Sequence, residues 1–160
     1  MESLTLDDTD LRLLEALQHD AARTNQQLAA DVAVSPPTCL RRVQRLRAAG
    51  LIEREVALLS PERLGAVLGH GLQAVVEIFL DRQDAAALDA FEARTVADDG
   101  VQQCWRVSPG PDFVLVVAVR DMPGYQALAQ RLFNADANVR NVKAFFSLKR
   151  AKFEPGLPLG

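Results

Sequence analysis

The sequence predicts an α+β protein in which a winged helix-turn-helix precedes a ferredoxin-like β-α-β-β-α-β domain. Three short amphipathic segments with helix caps fill the first third of the 160-residue chain, and the remainder alternates strand-like and helix-like segments. The polar segment 60–67, which contains Pro61 and Gly65, separates these two patterns. We therefore expect domains at 1–59 and 68–153, joined by a linker at 60–67 and followed by a tail at 154–160.

The first two helices have clear start signals. Asp7 suits the N-cap of a helix whose leucines recur at helical spacing as far as about His19. Thr24 opens a second helix, because residues 24–27 fit the capping-box pattern. Only a short link, Ala33-Val34, separates that helix from the next one, and this spacing is typical of a helix-turn-helix.

The third helix is bounded by Ser35, a good N-cap, and by Gly50, which suits the left-handed position after a helix. Pro36 and Pro37 fall in its first turn, where a missing N–H costs little. Its apolar stripe is predicted to contain Cys39, Leu40, Val43 and Leu46, with Thr38, Arg41, Arg42 and Arg45 on the other side.

Basic charge is concentrated on this helix. Five arginines and one glutamate lie between Ser35 and Arg54, although the net charge of the chain is −3. Such a local patch favours an anion-facing surface over non-specific coating of nucleic acid. In a helix-turn-helix the N-terminal part of the second helix reaches base edges in the major groove. The candidate DNA-binding residues are Ser35, Pro37, Thr38, Arg41, Arg42 and Arg45, with Arg54 as a phosphate contact in a wing formed by the extended segment 51–59.

Four strands and two helices are expected in the second half. The strands are predicted at 74–80, 101–107, 112–119 and 139–149, and Asp84 and Asp121 cap the helices between them. Both helices would cover the same face of the sheet, leaving apolar residues such as Val75 and Phe79 on the open face. We therefore expect a two-fold dimer that buries this face.

Several classes of protein are disfavoured by what the sequence lacks. It has no apolar run long enough to cross a bilayer and no signal-peptide pattern at its start, so we expect a cytoplasmic protein. The only cysteines, Cys39 and Cys104, and the only histidines, His19 and His70, lie far apart and form no metal-ligand or nucleophile motif. We predict neither a metal nor a cofactor nor catalysis.

The two halves together resemble the Lrp/AsnC family of transcription regulators. The resemblance rests on Leu6-Asp7 and Asp10, on Leu28-Ala29, on residues 34–36, 39–43 and 45–46 around the third helix, on Gly50-Leu51-Ile52, and on Asp112-Phe113 and residues 121–125. It implies a DNA-binding domain followed by an effector-binding and oligomerisation (RAM) domain, with dimers that assemble into higher homo-oligomers. The implied function is sequence-specific regulation of transcription in response to an amino acid or related metabolite.

The sequence departs from the family pattern in two segments that line the family's effector pocket. Pro109 and Gly110 occupy the turn where a Gly-Asp pair is usual, and Phe113 stands in place of a tyrosine. Val142 and Ala144 replace threonines of the last strand. The candidate effector-binding residues are Ser108, Pro109, Gly110, Asp112, Phe113, Val142 and Ala144. Fewer polar groups predict either a more apolar ligand, with Phe113 and Trp105 as contact surface, or no ligand at all.

Two other functions remain open. Some siroheme decarboxylases resemble this family, and a metabolic enzyme of that kind would carry functional histidines in its second domain, where this chain has only His70. A DNA-architectural protein without an effector would have the same first domain. Measuring the oligomeric state with and without amino acids would distinguish it from an effector-dependent regulator.

Overall fold

The computed structural model describes residues 5–159 and divides the chain into two compact units. We call residues up to Leu58, together with the segment from Lys152 onward, the helical unit, and Leu59–Ala151 the sheet unit. The elements are α1 (Asp8–His19), α2 (Asn25–Asp31), α3 (Pro36–Ala48), α4 (Pro61–Leu68), β1 (Leu72–Leu80), α5 (Ala85–Val96), β2 (Val101–Arg106), β3 (Phe113–Val119), α6 (Met122–Ala129), a π-helical turn (Gln130–Asn134) and β4 (Val139–Phe146).

The N-terminal caps of α1 and α2 form as predicted. The Asp7 carboxylate accepts a hydrogen bond from the backbone N–H of Asp10, and the Asp10 carboxylate accepts one from the backbone N–H of Asp7. Thr24 and Gln27 make the equivalent reciprocal pair at α2. These capping boxes fix the first turns of both helices.

The cap of α3 differs from the prediction. Ser35 occupies the N-cap position, but its hydroxyl donates to the Thr38 hydroxyl and accepts no backbone N–H. Pro36 and Pro37 have no N–H groups, so the first turn offers a serine cap fewer donors. At the other end, Gly50 has a φ of 73°, the left-handed conformation expected after the helix.

A small apolar core holds α1, α2 and α3 together. Its buried members are Leu13, Leu28, Ala29, Val32, Cys39, Val43 and Leu46. Leu40, which we expected in the same stripe, is 47% exposed. The buried positions of α3 centre on Cys39, Val43 and Leu46, and Leu40 is displaced from Cys39 by about 100° around the helix. Placing Leu40 in the stripe was therefore wrong.

The helix-turn-helix is confirmed, but the wing is not formed. No residue of the segment 51–59 is in a strand, and every strand of the described chain belongs to the sheet unit. Val56, Leu58 and Leu59 are all exposed. A strand exists only where a neighbour satisfies its N–H and C=O groups, and the helical unit supplies none.

The segment expected to be a linker contains helix α4. Ser60 caps it by accepting from the backbone N–H of Arg63, Pro61 takes its first position, and Gly69 ends it with a φ of 68°. This arrangement of N-cap, proline and C-terminal glycine is a typical helix signature in a sequence. The prediction used Pro61 and Gly65 only as signs of a domain boundary and included no helix here.

The sheet unit is the predicted β-α-β-β-α-β fold. Its antiparallel sheet has the order β2-β3-β1-β4, and α5 and α6 pack on one face. The core between sheet and helices consists of Ala74, Val76, Ile78, Leu80, Phe91, Phe113, Leu115, Val117, Leu128, Leu132 and Phe133. Asp84 and Asp121 cap α5 and α6 as expected. The last strand ends at Phe146, three residues before the predicted Lys149.

The other face of the sheet is open in the single chain. Residues that pair directly across neighbouring strands share a face, so Val75, Val116 and Phe145 form one apolar row there. Trp105, opposite Val114, adds its indole to the same face and is 59% exposed. We call this the open sheet face.

The segment from Lys152 onward lies against α1 within the helical unit. The Gln18 side-chain amide donates to the backbone carbonyl of Leu157 at 2.9 Å and accepts from the Leu157 N–H at 2.9 Å. This pair of hydrogen bonds imitates a backbone pairing and holds the segment in place.

Candidate DNA-binding and effector sites

One side of α3 points away from the core of the helical unit. Pro37, Arg41, Gln44 and Ala48 follow one another at helical spacing opposite the buried stripe, and Arg45 flanks them. We call these five residues the outer face of α3. Ser35 is exposed before the first turn, and Thr38 is half-buried at its edge.

The candidate arginines are not equivalent. Arg41 is exposed and has no ion pair among the described residues, whereas the guanidinium of Arg42 donates to Asp7 and to Asp10, at 2.8 Å each. The Arg42 side chain is only 23% exposed. Arg45 also pairs with Asp10 but keeps 44% of its side chain exposed. Of the three arginines predicted on the outward side, only Arg41 is fully available to a ligand.

The carboxylate of Asp10 is the centre of this arrangement. It is completely buried, with one oxygen bonded to Arg42 and the other to Arg45. Burial alone would raise the pKa of Asp10, but hydrogen bonds from Arg42, the Asp7 backbone and Arg45 lower it below the ordinary value of 3.8. We call Asp7, Asp10, Arg42 and Arg45 the arginine clamp.

Two further arginines lie in the last turn of α3 and in the segment after it. Arg47 makes an ion pair with Glu55 of the segment that follows. Arg54, predicted to be a phosphate contact in the wing, is exposed on a segment that forms no strand. It can still meet a phosphate, but no strand fixes its position.

The candidate effector residues separate into two groups. Ser108, Pro109 and Gly110 are exposed in the turn between β2 and β3, where Gly110 has a φ of 119°. Asp112 ties this turn to β1, because its N–H donates to the carbonyl of Ile78 and its carboxylate accepts from the N–H of Leu80. The turn is therefore held by hydrogen bonds at its base and free at its tip.

The second group lies on the side of the sheet that α5 and α6 cover. Phe113 is fully buried, and its ring centre lies 4.8 Å from that of Phe91. Val142 pairs with Ile78, and Ala144 pairs with Val76, so both share the face of these buried residues. In the single chain these three side chains belong to the core or to its margin.

Sequence reasoning missed the acidic partners of the arginines and part of the open sheet face. Asp10 looks like an ordinary first-turn acid, and nothing in its local pattern shows that two arginines of another helix surround it. The open face was partly readable, because Val114, Val116 and Phe145 follow the same period of two as Val75.

Among residues 5–159 no group of histidine, cysteine, aspartate or glutamate could hold a metal ion. In the same range no helix is long and apolar enough to cross a membrane.

Comparison with known families identifies both units. Residues 6–47 match the AsnC-type helix-turn-helix domain, and residues 73–157 match the Lrp/AsnC ligand binding domain. The chain belongs to the Lrp/AsnC family. The predicted resemblance is thus confirmed: the chain is a helix-turn-helix transcription regulator with a ligand-binding domain.

Individual relatives agree along nearly the whole length. The chain is 35% identical to the leucine-responsive regulatory protein of Rhizobium meliloti over 147 residues, which cover 92% of each chain. It is 32% identical to the Bkd operon transcriptional regulator of Pseudomonas aeruginosa, covering 96% of this chain and 98% of that one. A transcriptional regulator from Neisseria meningitidis, solved as a complex with L-Met, is 33% identical and superposes with a TM-score of 0.84 over 97% of each chain.

Proposed function

We propose that this Lrp/AsnC regulator works in the cytoplasm, reads promoter DNA with the outer face of α3, and answers to an amino acid with an apolar side chain. The observation that carries the DNA-reading part is Arg41 in the middle of that face, which is exposed and makes no ion pair with any residue that the structure describes. An arginine there can grip a guanine edge or a phosphate.

The residues proposed to contact DNA are a subset of those predicted from the sequence. Ser35, Pro37 and Thr38 lie in or before the first turn of α3, the part that reaches base edges in helix-turn-helix complexes. Arg41 follows one turn later, and Arg45 lies beside it. Arg42 is placed in the arginine clamp, so we assign it no base contact.

A dimer follows from the open sheet face. Val75, Phe145 and Trp105 are exposed together on it, and an apolar surface of this kind is rarely left in water. Two-fold association would cover it in both copies and would present two copies of α3 to DNA. The expected site is a pseudo-palindrome whose half-sites lie about one helical turn apart.

Footprinting on the DNA upstream of the protein's own gene tests this proposal. We expect protection of paired half-sites and weaker binding to a scrambled duplex of the same length. Failure to protect any site, or equal affinity for both duplexes, would contradict sequence-specific regulation and favour an architectural protein.

The effector proposal rests on two observations. The Neisseria relative was solved with L-Met, an amino acid whose side chain is apolar. Val142 and Ala144 are half-buried at the margin of the core and carry no hydroxyl, so they offer a polar ligand two hydrogen-bonding groups fewer than threonines at these positions would. We include the exposed turn of Ser108, Pro109 and Gly110 in the proposed site. Phe113 is not included in the proposed site, because its ring is buried in the core of the sheet unit.

Thermal-shift screening of the twenty amino acids tests the effector. A ligand that binds only the native state stabilises it by RT ln(1 + [L]/Kd), about 2.7 kcal/mol at a hundredfold excess over Kd. We expect methionine or leucine to raise the melting temperature and asparagine and glutamine to leave it unchanged. A shift with the polar pair alone, or with none of the twenty, would contradict the proposal.

An enzymatic role is not favoured. The relatives of known name are transcriptional regulators, and the sequence places only one histidine, His70, in the sheet unit. An enzyme of the siroheme-decarboxylase kind is expected to use histidines of its second domain for proton transfer, and a single His70 weighs against that role.

A further inference from the structure

We propose that Asp10 is a positioning residue for DNA recognition: it withholds Arg42 from DNA and fixes Arg45 beside Arg41. This inference rests on the proposed reading of DNA by α3. It assigns a role in specificity to an acidic side chain that is buried and cannot itself touch DNA.

Each carboxylate oxygen of Asp10 binds a different arginine of α3. Its Oδ1 accepts from Arg42 Nη1 at 2.8 Å, and its Oδ2 accepts from Arg45 Nη2. The two arginines are three positions apart on α3, so they are neighbours on the helix surface. A single carboxylate between them sets the direction in which each guanidinium leaves the helix.

Arg42 is held on the α1 side by a second acid. Its Nη1 also donates to Asp7 Oδ2 at 2.8 Å, and its Nε is buried and has no hydrogen-bond partner in the part of the chain that the structure describes. If Arg42 turned toward a phosphate, the buried Asp10 would keep only one of its two partners. Removing a partner from a buried charge is strongly unfavourable, so the clamp holds Arg42 away from the DNA.

The clamp determines how many arginines of α3 are available to contact DNA phosphates. With the clamp closed, Arg41 is the cation of the outer face that has no acidic partner within residues 5–159, and Arg45 is held by Asp10 through its Nη2. With the clamp open, three arginines would be available to phosphates. Phosphate contacts raise affinity for every sequence alike, so extra contacts raise non-specific binding and reduce discrimination.

A structural role alone makes a different prediction. If Asp10 only stabilised the packing of α1 on α3, its loss would lower the melting temperature and the fraction of active protein. The dependence of the remaining binding on salt would not change, because the number of phosphates neutralised per bound protein would be the same.

The experiment measures the affinity of the full chain for a duplex carrying the footprinted site and for a scrambled duplex, over a series of salt concentrations. Asp10→Asn should steepen the slope of log K against log salt by about 0.9 for each phosphate gained, and should lower the ratio of specific to scrambled affinity. Asp31→Asn is the matched control. It removes the same charge from the helical unit but affects Arg23, which keeps Asp20 as a partner and is not on α3.

Two further variants make the result independent of folding defects. Asp7→Asn removes one partner of Arg42 at an exposed position and keeps a good N-cap residue, so it should give a smaller change in the same direction. Adding Arg42→Gln to Asp10→Asn should return the slope toward the wild-type value, because the released cation is then gone.

The outcomes separate the two proposals. Discrimination by the wild type, with slopes and ratios for Asp10→Asn and Asp7→Asn equal to those of Asp31→Asn, would overturn the role of Asp10 alone. If Asp10→Asn does not fold, the slope and ratio for Asp7→Asn decide. Lack of discrimination by the wild type would contradict the proposed function and this inference with it.

Discussion

The helical unit and the sheet unit differ in what they bury. Among the described residues, the sheet unit encloses a large apolar core, with three phenylalanines and the single polar residue Thr95. The helical unit has a smaller apolar core and a fully buried carboxylate, Asp10, with two arginines around it. A large apolar core stabilises the folded state through the apolar surface area that it removes from water. In the helical unit the apolar core is smaller, and the ionic hydrogen bonds of Asp10 fix the directions of the arginine side chains around it. The helical unit, which contains the helix-turn-helix, is therefore also the unit that buries a charged side chain, Asp10.

The largest expected effect comes from a cavity in either core. Leu115→Ala and Leu13→Ala should each cost about 2–5 kcal/mol, because both leucines are fully buried. Trp105, the only tryptophan, lies in the sheet unit and reports on that unit by fluorescence. We expect Leu115→Ala to lower the Trp105 melting midpoint and Leu13→Ala to leave it nearly unchanged. Equal shifts would show that the two cores unfold as one cooperative structure.

The next effect concerns the open sheet face. Val75→Glu places a carboxylate beside Phe145 and Val116, and in a two-fold dimer it does so in both copies. Dimerisation should weaken at least tenfold, about 1.4 kcal/mol, in sedimentation at micromolar concentration. Val67→Glu on α4 is the control, since Val67 is 82% exposed outside the sheet. A stable wild-type monomer, or equal effects of the two variants, would contradict a dimer through this face.

A smaller effect is expected on DNA binding. Arg41→Ala should weaken binding to the footprinted site by roughly 1–3 kcal/mol if Arg41 reads a base, and weaken binding to a scrambled duplex less. Arg12→Ala removes the same charge from α1 and should lower both affinities slightly and equally. If Arg41→Ala lowers both affinities by the same factor, Arg41 contacts a phosphate and specificity lies elsewhere on α3.

The smallest effect is a difference in acid stability. Hydrogen bonds from Arg42 and Arg45 outweigh burial and lower the pKa of Asp10, and Arg131 lowers that of Asp98 in the sheet unit. A lowered pKa in the folded state means that the unfolded state binds more protons, so this stability is present above the ordinary value of 3.8 and is lost as the pH falls through the folded pKa. Asp98→Asn should reduce the acid sensitivity of the Trp105 midpoint, and Asp10→Asn should not. The reverse result would place the acid-sensitive step in the helical unit.

The comparison also explains which features were predictable from the sequence. Caps at Asp7, Thr24, Asp84 and Asp121, and the alternation in β1, depend on residues close together in the chain, and the structure confirms them. Predictions from local sequence pattern were wrong where the conformation of a residue depends on a partner that is distant in the sequence. The wing has no partner strand in the helical unit, and the position of Arg42 depends on acids more than thirty residues earlier. Pro61 and Gly65 predicted only a boundary, and the signature of N-cap, proline and C-terminal glycine that marks α4 was missed although it is local.

The candidate DNA-binding and effector residues were also predictable only where their positions depend on local pattern. Helical spacing correctly placed Arg41 on the outside, because the outward direction depends only on the buried stripe. It could not show that Phe113 faces Phe91, since that contact joins β3 to α5. The effector residues therefore remain a proposal for the exposed turn, and the DNA-contacting residues a proposal for the outer face of α3.

The hydrogen bonds between Gln18 and Leu157 make the helical unit discontinuous in sequence. The chain leaves this unit after Leu58 and re-enters it at Lys152, so the sheet unit is inserted within it and attached at both ends. A single proteolytic cut after Leu58 leaves residues up to Leu58 attached to the rest of the chain only by non-covalent contacts such as the Gln18–Leu157 hydrogen bonds, and a second cut before Lys152 is needed to separate the sheet unit from the segment that follows it. A fragment that stops at Leu58 lacks the segment that pairs with Gln18, and a fluorophore placed at 152–159 reports on the surroundings of α1 rather than on the sheet.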